Sequence, residues 1–343
     1  MKKVLFATTA LIATTGMAAA EVSFGGFGRF GLLYDEGNDS ATTDELRIEQ
    51  RFRLTATGTT TSDNGLEFEG RIRFQTDDQA QGNSNVANNS AAGFAVSTGG
   101  FRLDVGHVSD VIDSGDVVDY YGFGVGLTSS IEQSTSFGLP ASGFGTSDPG
   151  TGIAPTVKLR YTAGDFTVSA SITDDSALVT SDTSDTAQAG TRVLEQREEY
   201  QIGFGYNFGN YSVGVAFGNE DSDITTQTID AAGAVTAEVA SAGVDNDFYA
   251  LSFGGEIGAF AFSILIADYD ANPDTSYGFS VKYDVGAATE IRFAFADAGD
   301  GAADEESYGI GFRHSLGGGV SLRGGVGEIQ GDTFADLGVV FNF

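Results

Sequence analysis

Cysteine and tryptophan are absent from the 343 residues, and proline (4), methionine (2) and histidine (2) are scarce. Without thiols the chain has no disulfide and no thiolate nucleophile, so its stability must come from packing and backbone pairing. The only histidines are His107 and His314, and neither a His-Glu-x-x-His helix nor a Gly-x-Ser-x-Gly elbow is present; no catalytic constellation of those kinds can be assembled. Positive charge is sparse: 17 Lys and Arg stand against 48 Asp and Glu, for a formal net charge of −31. Nucleic acid is thereby excluded as a partner, because phosphate binding needs a basic footprint. Long hydrophobic runs are missing as well. No segment approaches the roughly 18 uninterrupted apolar residues of a membrane helix, which excludes a helical membrane protein.

The N-terminus has the layout of a secretory leader. Lys2 and Lys3 form the basic head, residues 4–13 the short apolar core, and Ala18, Ala19 and Ala20 the small-residue cleavage site. Cleavage near Ala20 leaves residues 21–343, read as one domain. Removing the +2 of Lys2 and Lys3 takes the net charge from −31 to −33.

A mean hydropathy of −0.05 resembles that of a water-soluble chain, but the mean conceals an alternation. Apolar residues recur at every second position in runs of about ten, as in a membrane barrel whose strands face lipid on one side and a lumen on the other. The runs fall at residues 22–34, 46–58, 66–74, 94–98, 101–105, 157–161, 166–172, 200–208, 211–217, 249–257, 260–266, 277–285, 289–295, 308–316, 320–326 and 334–343. Short turns such as Gly99-Gly100, Gly209-Asn210 and Gly317-Gly318 join one end of the pairs. Longer polar segments, including 77–91, 174–193 and 219–245, join the other. The expectation is an all-β, 16-stranded antiparallel transmembrane β-barrel with both termini at the short-turn end. Its outward parity holds Phe, Tyr, Leu, Ile, Val, Ala and Gly, with aromatics at strand ends as interfacial girdles.

The positive charges sort by parity. Arg29, Arg47, Arg51, Arg53, Arg71, Arg73 and Arg102 each lie opposite their strand's apolar face, so they are predicted to line the lumen as a basic wall. A cation facing midplane lipid would cost about 2–4 kcal/mol. Lys158, Arg160, Lys282, Arg292, Arg313 and Arg323 follow the same inward parity. An alternative role for the arginines is neutralisation of the lumenal acids Glu49, Glu67, Glu69 and Asp104.

One long stretch, about 108–155, breaks the alternation. Asp110, Asp113, Asp116 and Asp119 recur at every third position, and no Lys or Arg follows until Lys158. A loop of this length inside a compact domain is usually functional. Here it is expected to fold into the barrel as a long inward-folded constriction loop that narrows the lumen, its aspartates facing the arginine wall. The same aspartates could ride one face of a short helix or coordinate calcium, although the glycine and terminal Glu of a calcium loop are missing. No other metal and no other cofactor is expected.

The chain resembles the general diffusion porins of Gram-negative outer membranes, in particular the alphaproteobacterial group. The resemblance is carried by EVSFGG at 21–26, RFRLTATGTT at 51–60 with GLEF at 65–68, YNFGNYSVG at 206–214, LGGGVSLRGGV at 316–326 and ADLGVVFNF at 335–343. It implies a channel rather than an enzyme: an outer-membrane homotrimer, amid lipid and lipopolysaccharide, passing ions and small hydrophilic solutes by passive diffusion. It also implies a third long loop folded inward, and an assembly signal at Phe341 and Phe343 presented to the barrel insertion machinery. Beyond its aspartate series this loop carries only Glu132 and Asp148, fewer charges than family eyelets. The alternatives are a solute-selective outer-membrane channel and an exported calcium-binding surface protein. The latter would show a tandem glycine–aspartate repeat, which is not found.

Overall fold

Backbone pairing runs without a gap around the molecule. In the computed structural model, which describes residues 20–39, 44–77, 88–141, 155–174, 178–183 and 189–343, every strand is antiparallel to both neighbours. The first and last strands pair with each other, Phe27 opposite Asn342 and Asp35 opposite Phe334. The staves are β1 (Glu21–Asp35), β2 (Leu46–Thr61), β3 (Glu67–Asp77), β4 (Gly93–Thr98), β5 (Phe101–Gly106), β6 (Thr156–Ala163), β7 (Phe166–Asp174) and β8 (Gly190–Phe208). Then follow β9 (Tyr211–Ile229), β10 (Val235–Ile257), β11 (Phe260–Tyr269), β12 (Ser276–Gly286), β13 (Thr289–Asp297), β14 (Glu306–Gly317), β15 (Val320–Ile329) and β16 (Asp332–Asn342). Two short segments complete the 18 of the sheet. Asn88–Asn89 continues β4 along β3, and Leu178–Asp182 continues β7 along β8, so the closed barrel has sixteen staves. Closure removes the exposed edges that would otherwise template aggregation.

The outward parity is apolar and exposed: Phe24 is 66% and Ile48 67% accessible, with Leu32, Phe94, Ile172, Leu251, Ile264 and Ile310 in the same class. Such a surface is stable only against lipid. Aromatics gather at two levels. On the short-turn side Phe101 stacks on Tyr161 at 4.2 Å and Phe260 on Tyr283 at 4.5 Å. Tyr200, Phe217, Tyr249, Tyr277 and Tyr308 occupy the long-loop side, all exposed. No helix among the described residues is long and apolar enough to cross a membrane; the crossing is made by strands.

Two expectations need correction. Segment 219–245 is largely strand rather than loop, and within 174–193 the described residues 178–182 and 190–193 are strand as well: β9 and β10 run on as a paired hairpin past the girdle, closing at Gly233 with φ +83°. The extension has no alternating apolar face to signal it. It is held by backbone pairing and by β-branched residues such as Ile224, Thr225, Thr226 and Thr228, which favour extended chain. Small residues, assigned above to the outward face, also fill much of the inward one: Ala216, Ala250, Ala267, Ala294 and Ala296 are fully buried. The buried core lies inside the barrel, between this low wall and the long loop. Val111, Ile112, Val118, Phe137 and Leu139 of the loop pack on Ala216, Ala250, Leu265 and Ala267, while Val125 and Ile131 pack with Leu33, Ala294 and Phe334.

Candidate functional site

The chain leaves the wall after β5 at Gly106, where φ is +98°, and enters the lumen through one helical turn, α1 (Val111–Ser114). Asp110 is the N-cap: its carboxylate accepts the Asp113 N–H at 2.7 Å, and the residue is fully buried. Gly115, in the left-handed region at φ +66°, ends the turn. Four residues of helix are too few to carry the aspartate series on one face.

From there the loop is stapled along the inner wall by polar side chains of successive strands. Ser171 of β7 accepts from Val111 N at 3.2 Å, Gln201 of β8 from Ile112 N at 2.9 Å, Ser252 of β10 from Asp119 N at 3.0 Å and Ser280 of β12 from Phe123 N at 2.9 Å. Arg292 of β13 donates to the Gly124 carbonyl at 3.1 Å. At the tip, Asp336 of β16 accepts from Leu127 N and Thr128 N at 2.8 Å each and from Thr128 Oγ1 at 2.7 Å. On the return, Gln133, fully buried, donates to the Asp119 carbonyl at 2.6 Å and accepts from Ser280 Oγ at 3.0 Å. Each such bond contributes about 1 kcal/mol net, and leaving one unmade costs more. Where the loop backbone presses closest, the wall has no side chain: a Cβ on Gly214 would stand 1.7 Å from the Val117 carbonyl oxygen, and one on Gly278 1.8 Å from that of Gln133.

The far edge of the loop stays open, with Asp119 and Tyr121 exposed and Asp113 half-buried. Asp113 accepts the Tyr121 hydroxyl at 2.7 Å and lies within electrostatic reach of Arg73, which is flanked by Arg71 and Arg51. Burial, reinforced by the hydrogen bond to Asp113 and its charge, raises the Tyr121 pKa and keeps the hydroxyl protonated. Asp119 accepts from Gly122 N at 3.0 Å. Glu132 is pushed up to about 7 by burial first and by the Asp119 charge second.

The four aspartates therefore divide. Asp113 and Asp119 lie on the open edge, and Asp110 is a buried cap. Asp116 pairs with Lys158 Nζ at 2.8 Å and Arg160 Nη1 at 2.6 Å, at the loop's base on β6, rather than with the wall on β1–β3. Burial alone would raise the Asp116 pKa; Lys158 and Arg160 outweigh it and hold the carboxyl below its ordinary value. The basic wall is partly engaged by its own acids: Arg29 with Glu49 at 2.6 Å, and Arg102 with Glu69 at 3.1 Å and Asp104 at 2.9 Å. Arg53 donates to Gln75 at 2.5 Å and lies 5.1 Å from the Phe27 ring centroid. Arg47, Arg51, Arg71 and Arg73 stand on the same inward parity, each half-buried. Asp148 lies outside the described residues. Among the described residues no group of three or more His, Asp or Glu is arranged to hold a metal ion. At the closing seam, Phe343 exchanges backbone hydrogen bonds with Gly26 at 3.0 and 3.1 Å, and its ring stacks on Phe52 at 5.5 Å.

Asp336, Gln133, Gln201 and the inward serines escaped the sequence reading. Asp336 alone left a signal, as the one acid within the alternating run 334–343 of the last strand.

The chain matches the Gram-negative porin family over residues 7–333. It is 30% identical over 344 residues to a porin of Fuscovulum blasticum, covering 94% of this chain and all of that one. It is 27% identical over 337 residues to a porin of Rhodobacter capsulatus, again covering 94% of this chain. Among solved structures, a mutant of the Rhodopseudomonas blastica porin superposes with a TM-score of 0.71 at 24% identity, over 94% of this chain and all of that chain, a likeness of fold. With sixteen closed staves, a lipid-facing exterior and a family match over nearly its whole length, the chain belongs to the Gram-negative porin family and forms an outer-membrane channel.

Proposed function

We propose that the passage between the open edge of the loop and the arginine wall is the constriction of a passive, water-filled channel for ions and small hydrophilic solutes. The observation that carries this reading is Asp113 set within electrostatic reach of Arg73, with Arg71 and Arg51 beside it. Carboxylates on one side and guanidinium groups on the other create a field across the lumen. Polar solutes align in that field, whereas apolar ones must displace oriented water. Asp113 and Asp119 form the acidic side; Arg29, Arg47, Arg51, Arg53, Arg71, Arg73 and Arg102 form the basic side. Asp110 and Asp116 serve by fixing the loop. Passage down a solute gradient needs no catalytic group, since the gradient supplies the driving force.

The proposal includes export with cleavage near Ala20, delivery to the insertion machinery through Phe341 and Phe343, and assembly as a homotrimer in lipid and lipopolysaccharide. The exposed Phe343 side chain (54%) at the barrel seam supports the assembly role. In planar bilayers the protein should give ohmic conductance in groups of three steps. Arg51→Ala combined with Arg53→Ala should shift the reversal potential in a salt gradient toward cation preference. Unchanged selectivity would place the constriction away from this wall.

A further inference from the structure

Four consecutive strands each present an inward cation on the wall beneath the loop tip: Lys282 of β12, Arg292 of β13, Arg313 of β14 and Arg323 of β15. Their registers set like charge against like. Lys282 is directly opposite Arg292, and Arg313 directly opposite Arg323. Like charges in cross-strand pairs are destabilising, so neutralisation by neighbours would be the structural expectation.

Neutralisation is incomplete. Glu290 is within ion-pair distance of two of the four, 2.7 Å from Arg292 Nη2 and 3.6 Å from Arg313 Nε, and reaches Arg323 only from beyond that distance. Asp284, with half its side chain in solvent, is 3.8 Å from Lys282. Among the described residues no carboxylate lies within ion-pair distance of Arg323, whose Nε donates to Ser321 Oγ at 3.0 Å. Arg29, also in reach of Arg323, already holds Glu49. Among the described residues of the loop, the partners in contact with these cations are neutral: the Phe123 ring, 5.9 Å from Lys282 Nζ and 6.0 Å from Arg292 Cζ, and the Gly124 carbonyl. Asp336, the carboxylate of the intervening strand, is occupied by Leu127 and Thr128. Among the described residues the four cations thus have two carboxylates within ion-pair distance, and Arg313 remains 32% accessible.

From this surplus we infer that the β12–β15 wall is a resting site for multiply charged oxyanions, solutes carrying phosphate or polyphosphate groups, apart from the arginine wall of β1–β3. Guanidinium forks match phosphate oxygens two at a time, and an array of them gains with each added anionic charge. Lys282 adds a point charge at one end of the row. An arriving oxyanion supplies the counter-charge that the strand register leaves out.

The site rests on the lumen being the solute path, and one experiment separates the two claims. Tripolyphosphate is added to channels in planar bilayers at about 0.1 M KCl, where the Debye length is about 10 Å, and the half-blocking concentration is read. The wild-type current should fall with dose. Arg313→Ser combined with Arg323→Ser should raise the half-blocking concentration by about tenfold or more, the loss of at least one charge-assisted contact. Glu290→Gln, which removes the counter-charge, should lower it several-fold, a gain that misfolding cannot mimic and that carries the test if the double variant does not insert. Arg51→Ala with Arg53→Ala should change it less than the Arg313 and Arg323 pair does. Equal block in wild type, the Arg313 and Arg323 variant and the Glu290 variant, or a larger effect from Arg51 and Arg53, would overturn the site. A protein that inserts and never conducts would instead overturn the solute path.

Discussion

Asp336 and Leu127 lie 209 positions apart in the chain, yet the carboxylate of the one accepts the backbone N–H of the other at 2.8 Å. Thr128 gives the same carboxylate two further hydrogen bonds, so the last strand clasps the tip of a loop that starts on the fifth. Asp336→Ala leaves two loop N–H groups and a hydroxyl without this acceptor, at about 1–3 kcal/mol for each group that stays buried and unpaired. The expected result is a channel that still inserts, with a larger and noisier single-channel conductance because the tip is no longer held to the wall. A conductance trace identical to wild type would show that the apolar contacts of Val125 and Leu127 hold the tip by themselves.

Gly214 is where the wall yields to the loop. A methyl there would stand 1.7 Å from the Val117 carbonyl, a backbone atom that cannot rotate away, while a methyl on Gly58 would meet nothing within 4 Å. Gly214→Ala should therefore cost about 1–3 kcal/mol of overpacking and reduce conductance by pushing the loop toward the open passage. Gly58→Ala should be neutral or slightly stabilising through the unfolded chain. Urea titration of folding into lipid vesicles reads the first effect, and bilayer recording the second.

The barrel was legible in the sequence because lipid enforces a strict period of two. Phe24, Ile48 and Ile310 stand on the predicted face, and all sixteen staves lie where alternation places them. The extended hairpin of β9 and β10 was not legible, since beyond the lipid nothing enforces an apolar face and Thr225–Thr228 read as loop. The candidate site was legible in part. Parity is local, so it sets Arg51 and Arg73 opposite their strands' apolar faces, and the structure leaves both half-buried. Pairing across the lumen is not local, and no spacing announces that Asp116 joins Lys158 or that Asp336 holds Leu127. The inward glycines and alanines were misassigned for the same reason: their partner is a distant loop.

At the loop's base, Asp116 is enclosed with Lys158, the side chains 9% and 7% accessible. Asp116→Asn strands a buried ammonium. Losses of this kind cost about 3–5 kcal/mol, here toward the lower end because Arg160, 37% accessible, is screened by water. The same pair sets a pH response. Its folded-state pKa is depressed, so the carboxylate contributes stability above the unfolded value and loses it as pH falls through the folded one. Acid titration of vesicle-folded protein should show a loss in wild type that is smaller in the Asp116→Asn variant.

Glu132 supplies the opposite sign. Burial, with Asp119 adding to it, pushes its carboxyl up to about 7 from an ordinary 4.5. Between those values the folded protein keeps a proton that the unfolded chain has released, so stability declines as pH rises across that window. Its ionisation near pH 7 also adds a negative charge beside Asp119, on the loop edge facing the arginines. Reversal potentials in a KCl gradient should move toward cation preference between about pH 5 and about pH 8.5, with a midpoint near 7, and Glu132→Gln should flatten the curve while leaving its acidic limb in place. A wild-type curve that is flat across neutral pH, or a midpoint that survives in the Gln variant, would remove Glu132 from the passage.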